Sequence, residues 1–306
     1  MRVFVAGGTG LLGRRVVQIL VARGHQVYAT TTGPAKLELL AKLGAGPVVM
    51  NGLDAESVRK AVAAARPDTI VHQLTALAGK PDMKHMDRWF ATTNRLRTEG
   101  TDHLLAAAEL TGVSHFVAQS YGSWNGTRQG GWVKSEDDSL DAMAGTAAQP
   151  VMAAVRHVEK AVHETGGAAL RYGWLYGPGA IDALVDPVRK RRFPVIGGGA
   201  GYTSWVHLDD AASATVLAVE KKTTGVFNIV DDEPAPASEW LPHLAACAGA
   251  KPPRNVPAWV ARPLAGDVPV IMMTEGRGFS NVKAKQELGW ELRHPTWRQG
   301  FEEVLA

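Results

Sequence analysis

The stretch Ala6-Gly7-Gly8-Thr9-Gly10-Leu11-Leu12-Gly13 decides the fold of this chain. It follows a short apolar run at residues 3–6 and leads into Leu12, Val16, Val17, Leu20 and Val21, which recur at helical spacing. Between a strand and a helix, three glycines have separate jobs. One makes a tight turn, one lets the backbone approach a pyrophosphate, and one lets the helix pack closely on the strand. The helix start then offers free N–H groups and the positive end of its dipole to phosphates. A dinucleotide is the expected ligand of loop 7–13, with Gly7, Thr9, Gly10, Leu11, Leu12 and Gly13 against it.

The alternation continues outward from this loop. Residues 27–31, 48–50, 69–74, 115–120 and 168–174 read as strands, and 55–65, 89–110 and 152–164 as helices. Parallel neighbours need a crossover, so the pattern predicts an α/β fold with a doubly wound, Rossmann-type parallel sheet. After Gly177 glycine and proline become denser and the helices shorter. The expected organisation is a dinucleotide-binding domain over 1–177, joined by a returning strand at 226–230, with 178–306 mainly a smaller substrate-binding lobe.

Composition removes several alternatives. The 33 basic and 30 acidic residues leave a net charge of only +3, which argues against a nucleic-acid face. The run Arg189, Lys190, Arg191, Arg192 reads as a helix end, where cations favour the last carbonyls. No apolar run approaches membrane-spanning length and no charged-then-apolar leader precedes Arg2, so a cytoplasmic protein with no membrane partner is expected. Cys247 is the single cysteine, and no cysteine–histidine spacing suggests a metal. Ser120 lacks the flanking glycines of a nucleophile elbow.

The gaps of three between Gly7, Gly10 and Gly13 resemble those of the short-chain dehydrogenase/reductase superfamily, in its extended, epimerase-like branch. Further stretches resemble that branch in order: Val71-His72, Asn94 with Gly100-Thr101, Tyr176-Gly177-Pro178-Gly179, Val206-His207-Leu208-Asp209-Asp210 and Glu287-Leu288-Gly289-Trp290. The resemblance implies cofactor contacts from Asn51, Leu53, Leu74, Thr75, Ala76 and Asn94. Asn51 stands where the family usually has an aspartate near the adenine. A carboxylate ending the second strand would favour NAD through its ribose hydroxyls. Here Thr30, Thr31 and Thr32 occupy that point, with Lys36 and Arg14 near enough to suggest a ribose phosphate. NADP is therefore the expected cofactor, with NAD as the alternative.

The resemblance also implies a tyrosine acid/base with a lysine four residues later, on one helix face. Five tyrosines are present, and none has a lysine at that spacing. With the helix aligned through Glu159, the two positions fall on Val151 and Val155. Tyr121 falls where the family places a carbonyl-binding serine or threonine, one residue after Ser120. Tyr121 and Ser120 are the candidate catalytic donors, since a donor needs no lowered pKa; for Tyr121 the alternative is a pocket wall without chemistry. Trp124, Met152, Trp174, Tyr176 and Trp205 are candidate substrate contacts, with Trp132 and Met143 nearby in the count of bulky residues. No cation precedes Val206, where relatives acting on nucleotide sugars carry an arginine. A hydrophobic or aromatic small molecule is the expected substrate, and a homodimer is open. Three activities follow in order: an NADP-dependent oxidoreductase for a hydrophobic carbonyl or alcohol; a non-redox isomerase, lyase or cyclase that keeps the dinucleotide; and a dinucleotide-binding sensor.

Overall fold

A computed structural model describes residues 1–77 and 81–306. Strand β1 (Arg2–Ala6) is buried from Val3 onward, and helix α1 (Leu11–Ala22) turns Leu12, Val16, Val17 and Leu20 inward. Gly24, at φ +80°, lets the chain reverse into β2 (Gln26–Thr31). Next come β3 (Gly46–Val49), α2 (Ala55–Ala65) and β4 (Thr69–His72). Asp54 caps α2 by accepting from the N–H groups of Glu56 and Ser57.

The helical stretch expected at 89–110 is interrupted. Helix α3 (Ala91–Arg97) and helix α4 (Glu99–Thr111) meet at Thr98, whose ψ of −83° departs from helical geometry. Strand β5 (His115–Tyr121) and helix α5 (Gln149–Glu164) follow. The strand expected at 168–174 is also two pieces. Strand β6 (Ala168–Tyr172) stays in the main sheet, while β7 (Trp174–Tyr176) pairs in parallel with β8 (Trp205–His207). Gly173 sits at the change because a Cβ there would lie 2.9 Å from the Ser204 carbonyl oxygen.

Helix α6 (Leu208–Lys221) leads to β9 (Gly225–Ile229), which pairs with β6. The seven-stranded sheet runs β9-β6-β5-β4-β1-β2-β3, with every pairing parallel. The order reverses between β1 and β4, and a ligand crevice lies outside the carboxyl ends of strands at such a point. Cores on the two faces involve Val3, Val16, Leu20, Val117 and Val216 on one side and Phe4, Val58, Leu104, Phe116 and Val158 on the other. A third core, including Trp124, Met152, Val155, Tyr176, Trp205, Trp240 and Phe301, joins α5 to the C-terminal segments.

The basic run ends the helix Asp182–Arg189, where Arg189 and Arg191 donate to the Ala248 and Pro252 carbonyls and Lys190 pairs with Asp186. Among the described residues no helix is long and apolar enough to cross a membrane.

Candidate functional site

The glycine loop is shaped by contacts that a side chain would destroy. Gly7 has φ +94°, and a Cβ on it would sit 2.6 Å from the Gln73 carbonyl oxygen. A Cβ on Gly13 would sit 2.2 Å from the Gly7 carbonyl oxygen. Gly7 donates to Thr30 Oγ1 at 2.9 Å, and Gly10 donates to Gly7 O at 3.1 Å, closing the turn. A Cβ on Gly10 would touch only Gly7 O, at 3.4 Å, so the outer side of the loop is open. Helix α1 starts there without a side-chain cap, which leaves the N–H groups of Leu11, Leu12 and Gly13 without intrahelical partners. Thr9 is half-buried beside them. This cradle fits a pyrophosphate, with backbone donors and a helix dipole in place of side-chain cations.

At the end of β2, Thr31 is buried and its hydroxyl donates to the Gly33 carbonyl. Lys36 ends the exposed turn Pro34–Lys36, while the Nε of Arg14 is buried without a hydrogen-bond partner. Asn51 Oδ1 accepts from Leu53 N–H at 3.1 Å and thereby shapes the turn into α2. Its side chain is exposed and Leu53 is half-buried.

The end of β4 is tied to the α3–α4 junction. His72 is buried, and burial pulls its pKa down to about 4, so it is neutral. Its Nδ1 accepts from Leu74 N–H, so Nε2 carries the proton and faces Thr101 Oγ1 at 3.1 Å. Thr101 in turn donates to the Arg97 carbonyl. Leu74 is buried, Thr75 and Ala76 are exposed, and Ala76 N–H donates to Thr93 Oγ1. The Oδ1 of Asn94 is buried without a partner.

Ser120 and Tyr121 are neighbours in a strand, so their side chains leave opposite faces of the sheet. The Ser120 hydroxyl donates to Glu159 Oε1 at 2.7 Å, and Arg171 grips the same carboxylate through Nε at 2.7 Å and Nη2 at 2.9 Å. Ser120 is thus engaged beneath α5 in a buried polar triad, and the two candidate donors are not brought together. Tyr121 is half-buried against the third core. Burial raises its pKa to about 12, against hydrogen bonds from Ser123 and Trp124 and the charge of Arg97. It is therefore a protonated donor at neutral pH and not a base. Val151 and Val155 are fully buried in the third core, with no acid or base at either position.

Of the candidate substrate contacts, Trp174 is half-buried and stacks on Trp205, with ring centroids 4.9 Å apart and planes 4° from parallel. Trp205 and Tyr176 have no exposed surface; Tyr176 packs edge-on against Trp205, His207 and Phe301. Trp124 and Met152 are buried, and Asn125 bridges them to the strand end by donating to the Tyr121 carbonyl and contacting Met152 Sδ at 3.6 Å. Met143 is buried, whereas Trp132 is exposed and stacked between Tyr202 and Arg277. Trp124, Met152, Tyr176 and Trp205 therefore lie inside the third core, and Tyr121, Trp174, Met83 and Trp89 are among the partly buried residues packed against it.

Sequence reasoning did not single out Met83, Trp89 and Phe90, which pack in the third core, or Arg97, whose guanidinium carbon lies 5.7 Å from the Phe90 ring centroid. The available signal was spacing: Thr93, Arg97 and Thr101 fall every four residues and all three are buried. One further group, His207, Asp210 and His294, brings potential ligand atoms within 4.8 Å of one another. Asp210 already accepts from Arg293 N–H and His294 N–H, and His207 Nδ1 accepts from Asp209 N–H. These bonds fasten residues 293–294 to the start of α6.

The profile of the NAD dependent epimerase/dehydratase family matches residues 3–230, so the chain belongs to that family. A 3-diazoavenalumate denitrifying reductase from Streptomyces sp is 44% identical, over 98% of this chain and 99% of that protein. A 2-alkyl-3-oxoalkanoate reductase from Stenotrophomonas maltophilia is 28% identical, over 82% of this chain and 76% of its own. Among solved structures, human epimerase family protein SDR39U1 with NADPH superposes at TM-score 0.74 with 23% identity, covering 100% of this chain and 99% of that one. Thermotoga maritima UDP-glucose 4-epimerase with UDP-glucose gives TM-score 0.77 at 24% identity, covering 100% and 97%. At those identities the structures establish the shared fold. Together with the reductases among its relatives, the intact glycine loop makes this chain an NAD(P)-dependent oxidoreductase of the short-chain dehydrogenase/reductase type.

Proposed function

We propose that the protein is an NADPH-dependent reductase that replaces the nitrogen of a diazo-bearing, hydrophobic aromatic substrate with hydrogen. The observation that carries this reading is the pair of buried valines, Val151 and Val155, where the family's proton-transfer pair would stand. The Streptomyces relative, a denitrifying reductase of a diazo compound, supplies the substrate class. Arg14 and Lys36, with no carboxylate among Thr30, Thr31 and Thr32, favour NADPH over NADH.

Proton balance separates the reactions. Reducing a carbonyl to an alcohol takes up one hydride and one proton, and the enzyme must deliver the proton to a forming alkoxide. Reducing an arene diazonium takes up hydride alone. The carbon gains the hydride, the carbon–nitrogen bond leaves with its electrons as N2, and no proton is consumed. A dinucleotide held by Gly7, Gly10, Gly13 and the start of α1 would supply that hydride from its reduced nicotinamide. The chain orients both reactants and excludes water, with Gly7, Gly10 and Gly13 fixing the pyrophosphate and Trp174, Tyr121 and Trp89 bounding an apolar site. In this reading Ser120 positions α5, and Tyr121 is a wall.

Carbonyl reduction is the second reading, favoured by the protonated Tyr121 hydroxyl at the end of β5. One experiment separates them. The purified protein and its Tyr121→Phe variant are given NADPH with an arene diazonium or with an aryl ketone, and NADPH oxidation, N2 release and product are followed. The primary reading expects diazonium-dependent NADPH oxidation with equimolar N2, and a Tyr121→Phe rate within about threefold of the parent. Ketone turnover that falls at least ~100-fold in Tyr121→Phe, without diazonium turnover, would establish the second reading instead.

A further inference from the structure

Arg97 is only 3% exposed, yet among the described residues there is no acceptor for its Nε or Nη1. Among the described residues it forms no ion pair. Its guanidinium carbon lies 5.7 Å from the centroid of the Phe90 ring, an apolar neighbour that cannot neutralise it. The two titratable groups that feel its charge, His72 and Tyr121, are themselves neutral near pH 7. Burial lowers the Arg97 pKa to about 10, which still leaves it a cation. The Arg97 backbone is held in place by the Thr101 hydroxyl, which donates to its carbonyl, just before the α3–α4 break at Thr98. Two more polar groups on the same segment are buried without partners, Trp89 Nε1 and Asn94 Oδ1. Asn94 is three residues from Arg97 on one helix face.

A buried cation without an acceptor is a strong cost to a fold unless something negative arrives to meet it. The planar guanidinium offers parallel N–H donors that match a carboxylate. The dinucleotide phosphates have their own cradle after β1, on the other side of β4. We propose that Arg97 receives the carboxylate of a carboxylic-acid substrate, holding its apolar body between Phe90 and Tyr121. This deepens the proposed reductase reading and rests on it for the position of the substrate.

The test is calorimetric titration of the full-length protein, saturated with NADPH, with 3-phenylpropanoate and with the uncharged 3-phenylpropanamide. The parent is expected to bind the acid at least ~tenfold more tightly than the amide. Arg97→Met should bind the two equally, and Arg97→Lys, which keeps charge but loses the fork, should retain a smaller preference. Equal affinities in the parent, or an undiminished acid preference in Arg97→Met, would overturn the proposal. Should Arg97→Met not fold, the parent ratio and Arg97→Lys decide. An acid preference without any NADPH-dependent turnover would count against the reductase reading and leave the role of Arg97 standing. Turnover without an acid preference would do the reverse.

Discussion

At the end of β1 the chain keeps every glycine that close backbone approach demands. Along α5, two fully buried valines stand at the positions where the resemblance implies a proton-transfer pair. The two regions are built by different physics. The first is a backbone device whose geometry forbids side chains, and the second is a pair of side-chain positions filled by apolar packing. Cofactor binding and reaction chemistry can therefore separate within one fold. Nothing at the glycine loop depends on what stands at residues 151 and 155.

The sharpest way to break the intact side is Gly13→Ala. The added Cβ would lie 2.2 Å from Gly7 O, a backbone atom held by the turn itself. Dinucleotide affinity should fall at least ~100-fold, about 3 kcal/mol, by quenching of tryptophan fluorescence, with the circular dichroism of the parent retained. An affinity within tenfold of the parent would place the pyrophosphate away from this turn.

The two regions also differed in how far the sequence disclosed them. Loop 7–13 is local: strand, glycines and helix are contiguous, and each glycine's role follows from its spacing. The valines at 151 and 155 were legible for the same reason, as an i, i+4 pair set against the pattern that the resemblance implies. Arg97 was not, because its isolation depends on the break at Thr98 and on what β4 and β5 fail to offer it. Ser120 was assigned to chemistry, yet its partner Glu159 is 39 residues away and Arg171 lies further still. The switch of β7 to a new partner depended likewise on the approach of Ser204 to Gly173, which no periodicity carries. Short-range backbone rules survived translation into structure; which polar group meets which did not.

A smaller effect probes the link between the two sides, His72. Its folded pKa of about 4 lies below the ordinary 6.5, so the unfolded chain binds the proton more readily. The stability this contributes is present above pH 6.5 and is lost as pH falls toward 4. Roughly 1.5 kcal/mol should disappear between pH ~6.5 and ~5. Burial also lowers His115 and His207, so the measurement is the difference in urea midpoint between the parent and His72→Gln across that window. A difference that does not change with pH would mean that His72 is solvated and that the Leu74–His72–Thr101 chain is not formed.

The smallest effect discriminates best between the two neighbours at the end of β5. Ser120→Ala removes one hydrogen bond to Glu159, but Arg171 still holds that carboxylate through two nitrogens, so no charge is left unpaired. The expected loss is about 1 kcal/mol of unfolding free energy, below the usual range for a bond to a charged group because Arg171 keeps the carboxylate paired. Turnover should stay within about twofold, because the hydroxyl points beneath α5 and not toward the crevice. A stability change with unchanged turnover would assign Ser120 to the scaffold and leave Tyr121 and Arg97 as the polar side chains facing substrate. A large fall in turnover at unchanged stability would mean that Ser120 leaves Glu159 when substrate binds. The engaged and vacant sides of the site would then be two states of one strand end.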